Sequence, residues 1–146
     1  KDFMKTGQRK EEFRELFNKQ RFAVLATQDG NEPYTSLVAF STTEDLSQIF
    51  FATLRQTRKY SNIMKNATIS MLIDNRENLS SDIKQAIAIT ITGTANEIKE
   101  NKQHFIDIHL KKHPYLHNFV QAADCALIGI RIEKLYVVQQ FQQMTL

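Results

Sequence analysis

Ile49 to Ile63, IFFATLRQTRKYSNI, is the stretch from which the rest of the chain can be read. An apolar, strand-like run ends at Thr53 and a short polar connection follows. Thr57, Arg58 and Lys59 then open a helix over Arg58 to Lys65, in which Tyr60, Ile63, Met64 and Ala67 recur at helical spacing and Asn66 serves as the C-terminal cap. A helix start offers unpaired N–H groups and the positive end of the dipole, so it suits an anion such as a phosphate monoester. Thr57 would cap the helix and offer its hydroxyl, while the two cations offset the phosphate charge. The competing reading is an ordinary N-cap followed by two solvated cations. Cations at a helix start oppose the dipole, and an anion between them would explain their placement.

Upstream, Lys10 to Lys19 sets Phe13, Leu16 and Phe17 at i, i+3 and i+4, the pattern of a short amphipathic helix lying on the body as a lid. Phe22 to Thr27 is rich in strand formers, and Asp29-Gly30 marks a hairpin turn. Pro33 lacks an N–H, so pairing of the second strand is expected from Tyr34 to Ser41. Alternation puts Tyr34, Ser36, Val38 and Phe40 on one face and Thr35, Leu37, Ala39 and Ser41 on the other. A polar turn leads to the third strand, Gln48 to Thr53, and completes an antiparallel meander.

Downstream, Thr68 to Asp74 alternates as a fourth strand and Asn75 to Lys84 reads as polar loop. Ala86 to Ile98 places Ile87, Ile89 and Ile91 on one face and small residues on the other, with Gly93 at a bend or bulge. Asn101 to Lys112 and Pro114 to Ala122 form a helical segment restarted at the proline. Leu127 to Val138 is the final strand, and the glutamine-rich tail from Gln139 carries no signal. The sum is a mainly β protein, a six-stranded antiparallel barrel with added helices. At 146 residues a single domain is expected over residues 1–146, with a helical N-terminal segment over 1–20.

The net charge of +3 comes from scattered lysines and arginines, which suits a small anionic ligand and gives no basic block for nucleic acid. The one cysteine, Cys125, lies in an apolar run and is read as a small core residue in a reducing compartment. No stretch has the length of a membrane span and the N-terminus has no apolar signal core, so a cytoplasmic protein is expected. His109, His113 and His117 are spaced by four, yet no carboxylate motif accompanies them and Pro114 interrupts the helix. They are read, with His104, as surface histidines, and no metal is assigned. No nucleophile, dinucleotide or P-loop motif is present, and no catalytic acid or base stands out.

The order PYTSLVAF, polar turn, IFFATLRQTRKYSNI, NATISMLIDNR, ITITGTANEI resembles the FMN-binding split barrel of the pyridoxamine 5'-phosphate oxidase-like superfamily, best over about Arg21 to Ile98. The resemblance implies a homodimer with FMN at the subunit interface. It implies that Ser36, Leu37 and Val38 run beside the ribityl chain and ring, that Thr53 contacts the cofactor, and that Arg58 and Lys59 hold the phosphate. Thr57 occupies the family's small hydroxyl position, and Asn75 and Arg76 stand at the same rim. The chain departs from the authentic oxidase. Ser36 stands where that enzyme has an arginine, about Ala88 where it has a glutamine from the partner subunit, and no tryptophan occurs anywhere. The expectation is therefore an FMN-dependent oxidoreductase of an unidentified small molecule rather than of vitamin B6. The alternatives are a flavin-binding electron carrier without its own substrate, or a haem- or deazaflavin-binding relative.

Overall fold

The computed structural model describes residues 7–140 and 142–145, with side chains described over 10–140. Helix α1 (Gly7–Lys19) precedes strands β1 (Phe22–Asp29), β2 (Glu32–Thr42) and β3 (Gln48–Leu54). Helix α2 (Arg58–Lys65), strand β4 (Thr68–Asp74), helix α3 (Asp82–Gln85) and strand β5 (Ile87–Glu97) follow. Helix α4 (Lys102–Lys112), a 3₁₀ turn at Pro114–Leu116 and helix α5 (His117–Gln121) lead to β6 (Cys125–Gln139) and β7 (Gln142–Thr145).

The strands lie in the order β3-β2-β1-β4-β5-β6-β7, and β3 also pairs with β6, which closes six of them into an antiparallel barrel. That closure runs from Gln48 opposite Arg131 to Leu54 opposite Cys125. It removes both sheet edges along the first half of β6. The core follows the alternation in the sequence: Leu25, Phe40, Ile49, Phe51, Ile73, Ile89, Ile91 and Ile130 are fully buried. Burying a side chain of this size contributes roughly 1.5 to 3 kcal/mol.

Gly93 lies at a register shift between β5 and β6, as its position suggested, and a Cβ there would run into the Arg131 carbonyl oxygen. Pairing of β2 begins two residues earlier than the proline indicated, with Pro33 in register opposite Gln28 and Glu32 opposite Asp29. The polar loop after β4 contains a helical turn: Asp82 accepts the backbone N–H groups of Glu77, Asn78 and Leu79, a local carboxylate cap. Helix α1 lies on the barrel through Phe13 and Phe17, with the Phe17 ring edge-on to Phe40.

Two histidines read as surface residues are buried. His109 and His113 lie between α4 and the barrel, where Ser41 Oγ shares a 2.7 Å hydrogen bond with His109 Nδ1. The Nε2–H of His113 donates to the Phe40 carbonyl at 2.8 Å. The reason lies in the partners: β2 offers a hydroxyl and a carbonyl to a helix face that is otherwise apolar, so the imidazoles replace water contacts with protein ones. His104 and His117 are exposed, as expected.

Candidate functional site

Strand β3 delivers Thr53 to the barrel end, where it is 2% exposed, and the chain turns into α2. Thr57 is the N-cap, with extended backbone, and its Oγ1 accepts the Tyr60 N–H at 3.4 Å. Its hydroxyl donates to the Leu54 carbonyl at 2.9 Å and lies 2.8 Å from the Thr53 hydroxyl. Donors and acceptors balance if Thr53 donates to Thr57 and Thr57 donates to Leu54. Thr57 therefore acts first as a cap, its hydrogen engaged by the turn. The amides of Arg58 and Lys59 precede any intrahelical acceptor and remain available to an outside group.

The two cations differ in setting. The Arg58 guanidinium lies over the Tyr34 ring, 5.4 Å from its centroid, whereas Lys59 is half-buried. Burial pushes the Lys59 ammonium below its ordinary value. Among the described residues neither forms an ion pair, although Arg55 pairs with Glu97, Lys65 with Asp29 and Arg76 with Asp74. A half-buried ammonium without a carboxylate is the setting in which an added anion gains most.

On β2, Ser36 and Val38 face inward and Leu37 faces outward, 67% exposed. The Ser36 hydroxyl is buried without a hydrogen-bond partner. Thus β2 offers alternating faces to anything lying along it, and on its outer face Thr35 and Leu37 are the exposed side chains in the middle of the strand. Leu37 aligns in register with Val24, and Val24 with Leu72. The apolar row continues through Thr90 to Tyr136, and Phe22 is also exposed at 56%. A cleft of about 160 Å³ joins Leu37, Phe22 and Leu72 to Asp74 and Arg76.

The structure brings Thr53, Thr57, Arg58 and Lys59 together at one end and Arg76 at the other, with Leu37 between them. Tyr34 pairs with Thr27, while β4 runs away from that end toward Asp74. Five residues of strand separate the two ends, about 16 Å. Asn75 is committed to the fold: its Oδ1 accepts the Ile87 N–H at 2.8 Å and its own N–H donates to the Ile87 carbonyl. Arg76 is ion-paired to Asp74 at 3.0 Å.

Two further groups went unread in the sequence. Asn62, 1% exposed, donates to the Thr27 hydroxyl at 3.0 Å and fastens α2 to β1. Glu97 bonds both Arg55 and Tyr60. An asparagine on the α2 face between Tyr60 and Ile63 was the available signal for the first; nothing local announces the second.

No curated protein matches the chain in sequence. Several solved structures share its fold. A heme binding protein from Mycobacterium smegmatis superposes with a TM-score of 0.81 at 15% identity, over 93% of this chain and 56% of that one. General Stress Protein 26 from Bacillus anthracis gives 0.69 at 20% identity, over 95% and 99% of the two chains. A FAD-binding protein from Mesorhizobium loti gives 0.66 at 14% identity, over 88% and 90%. The chain thus spans little more than half the length of the mycobacterial protein, and at these identities the likeness is one of fold. The family model described as pyridoxamine 5'-phosphate oxidase matches residues 10–139, nearly the whole chain, and the protein belongs to that family.

Proposed function

We propose that the protein binds FMN and acts as an FMN-dependent oxidoreductase on a small organic molecule, as a homodimer with the flavin at the subunit interface. The observation that carries this reading is the pair Arg58 and Lys59, without carboxylate partners among the described residues, at the capped start of α2. The phosphate would sit there, held by both cations and the first-turn amides. The ribityl chain and ring would extend along β2 past Thr53, Ser36, Leu37 and Val38 toward the cleft at Arg76, with Asn75 shaping the rim. A ligand reaching both ends must be elongated and carry an anion at the α2 end, as FMN does.

The outward apolar row from Leu37 to Tyr136 supports the dimer, because a second copy laid on it would cover Leu37 and Phe22 and enclose the ring. When bound, the isoalloxazine supplies the redox chemistry; the chain's residues bind it, orient it and exclude water. By the family resemblance Ser36, and a position at about Ala88, stand where the authentic oxidase has an arginine and a glutamine, which supports a substrate other than a vitamin B6 phosphate.

Haem, which the mycobacterial protein binds by name, would call for an iron ligand. His109 is fully buried between α4 and the barrel with its Nδ1 on Ser41, His113 is bonded to the Phe40 carbonyl, and His104 and His117 lie on α4 and α5, outside the elements that build this site. No described helix is long and apolar enough to cross a membrane. The absorption spectrum of protein purified without added cofactor tests the reading: a flavin spectrum supports it, and a Soret band overturns it. Turnover with donors and acceptors, beyond that of free FMN, then separates an enzyme from an electron carrier.

A further inference from the structure

Glu97, at the end of β5, touches residues on both sides of the Thr57–Lys59 segment. Its Oε1 accepts the Tyr60 hydroxyl at 2.7 Å and its Oε2 accepts Arg55 Nη2 at 2.6 Å, with the carboxylate side chain 11% exposed. Burial acts to raise the Glu97 carboxyl, and the hydrogen bonds from Arg55 and Tyr60 outweigh it, leaving the group below its ordinary value. Arg55 is tied down further by its N–H on the Asp124 carbonyl at 2.9 Å. Tyr60, the third residue of α2, is held by its backbone on Thr57 and by its hydroxyl on Glu97. Between these two anchors lie Arg58 and Lys59.

We propose that Glu97 is a positioning residue for the anion site at the start of α2: through Tyr60 it fixes the first turn, so that the Arg58 and Lys59 groups converge on one anionic ligand. It also engages Arg55, which keeps a third cation out of the site. The inference rests on the phosphate reading given above. A positioning role and a charge role have opposite signs. Removing Glu97 takes away a negative charge and frees Arg55, so electrostatics alone makes an anion bind more tightly. Loss of positioning makes it bind more weakly.

The test measures FMN and riboflavin affinities by fluorescence quenching in the wild type, Tyr60→Phe, Glu97→Ala and Glu97→Gln, with circular dichroism as the check on folding. Amide exchange over residues 57–61 without flavin is read alongside. Tyr60→Phe changes no charge, and it should lower FMN affinity about fivefold, the equivalent of one ordinary hydrogen bond, with riboflavin affinity unchanged. Exchange at the first-turn amides should quicken. Glu97→Ala should weaken FMN at least as much, and Glu97→Gln, which keeps an acceptor for Tyr60, should stay nearer the wild type. Unchanged FMN affinity in Tyr60→Phe, or tighter binding in Glu97→Ala, overturns the proposal. A wild type that binds FMN but no better than riboflavin overturns the phosphate site itself, and this proposal with it.

Discussion

Acid should loosen α4 from the barrel before it unfolds the rest, and His109 is the reason. The side chain is fully buried, its Nδ1 bonds Ser41, and its Nε2 has no partner. Phe50 packs against the ring from β3, and His113 lies 4.8 Å away between centroids, with Lys112 the other positive neighbour on α4. Burial first, then the His113 and Lys112 charges, pushes His109 down from 6.5 to about 4. A group whose folded value is depressed leaves the unfolded chain holding more protons at intermediate pH, so stability falls as pH falls. The His109 contribution is complete above 6.5 and is lost progressively down to about 4. The shift corresponds to about 3 kcal/mol over that window. His113 is also depressed, mainly by burial, and adds in the same direction. Urea unfolding of the wild type and of His109→Gln, which can still bond Ser41 and does not titrate, should give profiles that converge as pH falls through the window. Parallel profiles would refute the reasoning.

Three other outcomes follow from the packing and from the proposed dimer. Gly93→Ala should destabilise the protein by about 2 to 4 kcal/mol, because the Arg131 carbonyl is backbone and cannot move aside cheaply, as thermal unfolding would register. Thr57→Ala should cost about 1 kcal/mol through loss of the cap, and should fray α2 in amide exchange. Leu37→Glu should turn a dimer into a monomer in sedimentation velocity while leaving the barrel folded, since Leu37 is 67% exposed and lies outside the buried core.

Period-2 alternation made the barrel strands legible, since Ile69, Met71 and Ile73 on β4 and Ile89 and Ile91 on β5 can all bury only if those segments are extended. The cap at Thr57 was equally legible, being a local matter of one hydroxyl and one amide three residues on. What the sequence concealed is non-local. The β3–β6 seam joins residues more than seventy positions apart, and Glu97 meets Tyr60 and Arg55 across 37 and 42 residues. His109 and His113 misled for a related reason: a histidine on a helix is buried or exposed according to what faces it, and Ser41 and the Phe40 carbonyl lie on another strand. The clasp of Asn75 on Ile87, twelve residues on, was equally hidden. Within the candidate site, the stretch from Thr53 to Lys59 was readable because a turn and a helix start are contiguous in sequence. The outward row through Leu37, Leu72 and Tyr136 needed the register of five strands.

The phosphate end of the flavin site is the central claim, and Lys59 tests it most directly. Its ammonium is half-buried and unpaired among the described residues, so removing it deletes a charge-assisted contact of roughly 1.5 to 3 kcal/mol. Titration with FMN, followed by flavin fluorescence, should show Lys59→Ala binding about ten- to a hundredfold more weakly than the wild type, with riboflavin affinity the same in both. Equal FMN affinity in the two proteins would contradict the assignment of the phosphate to the start of α2.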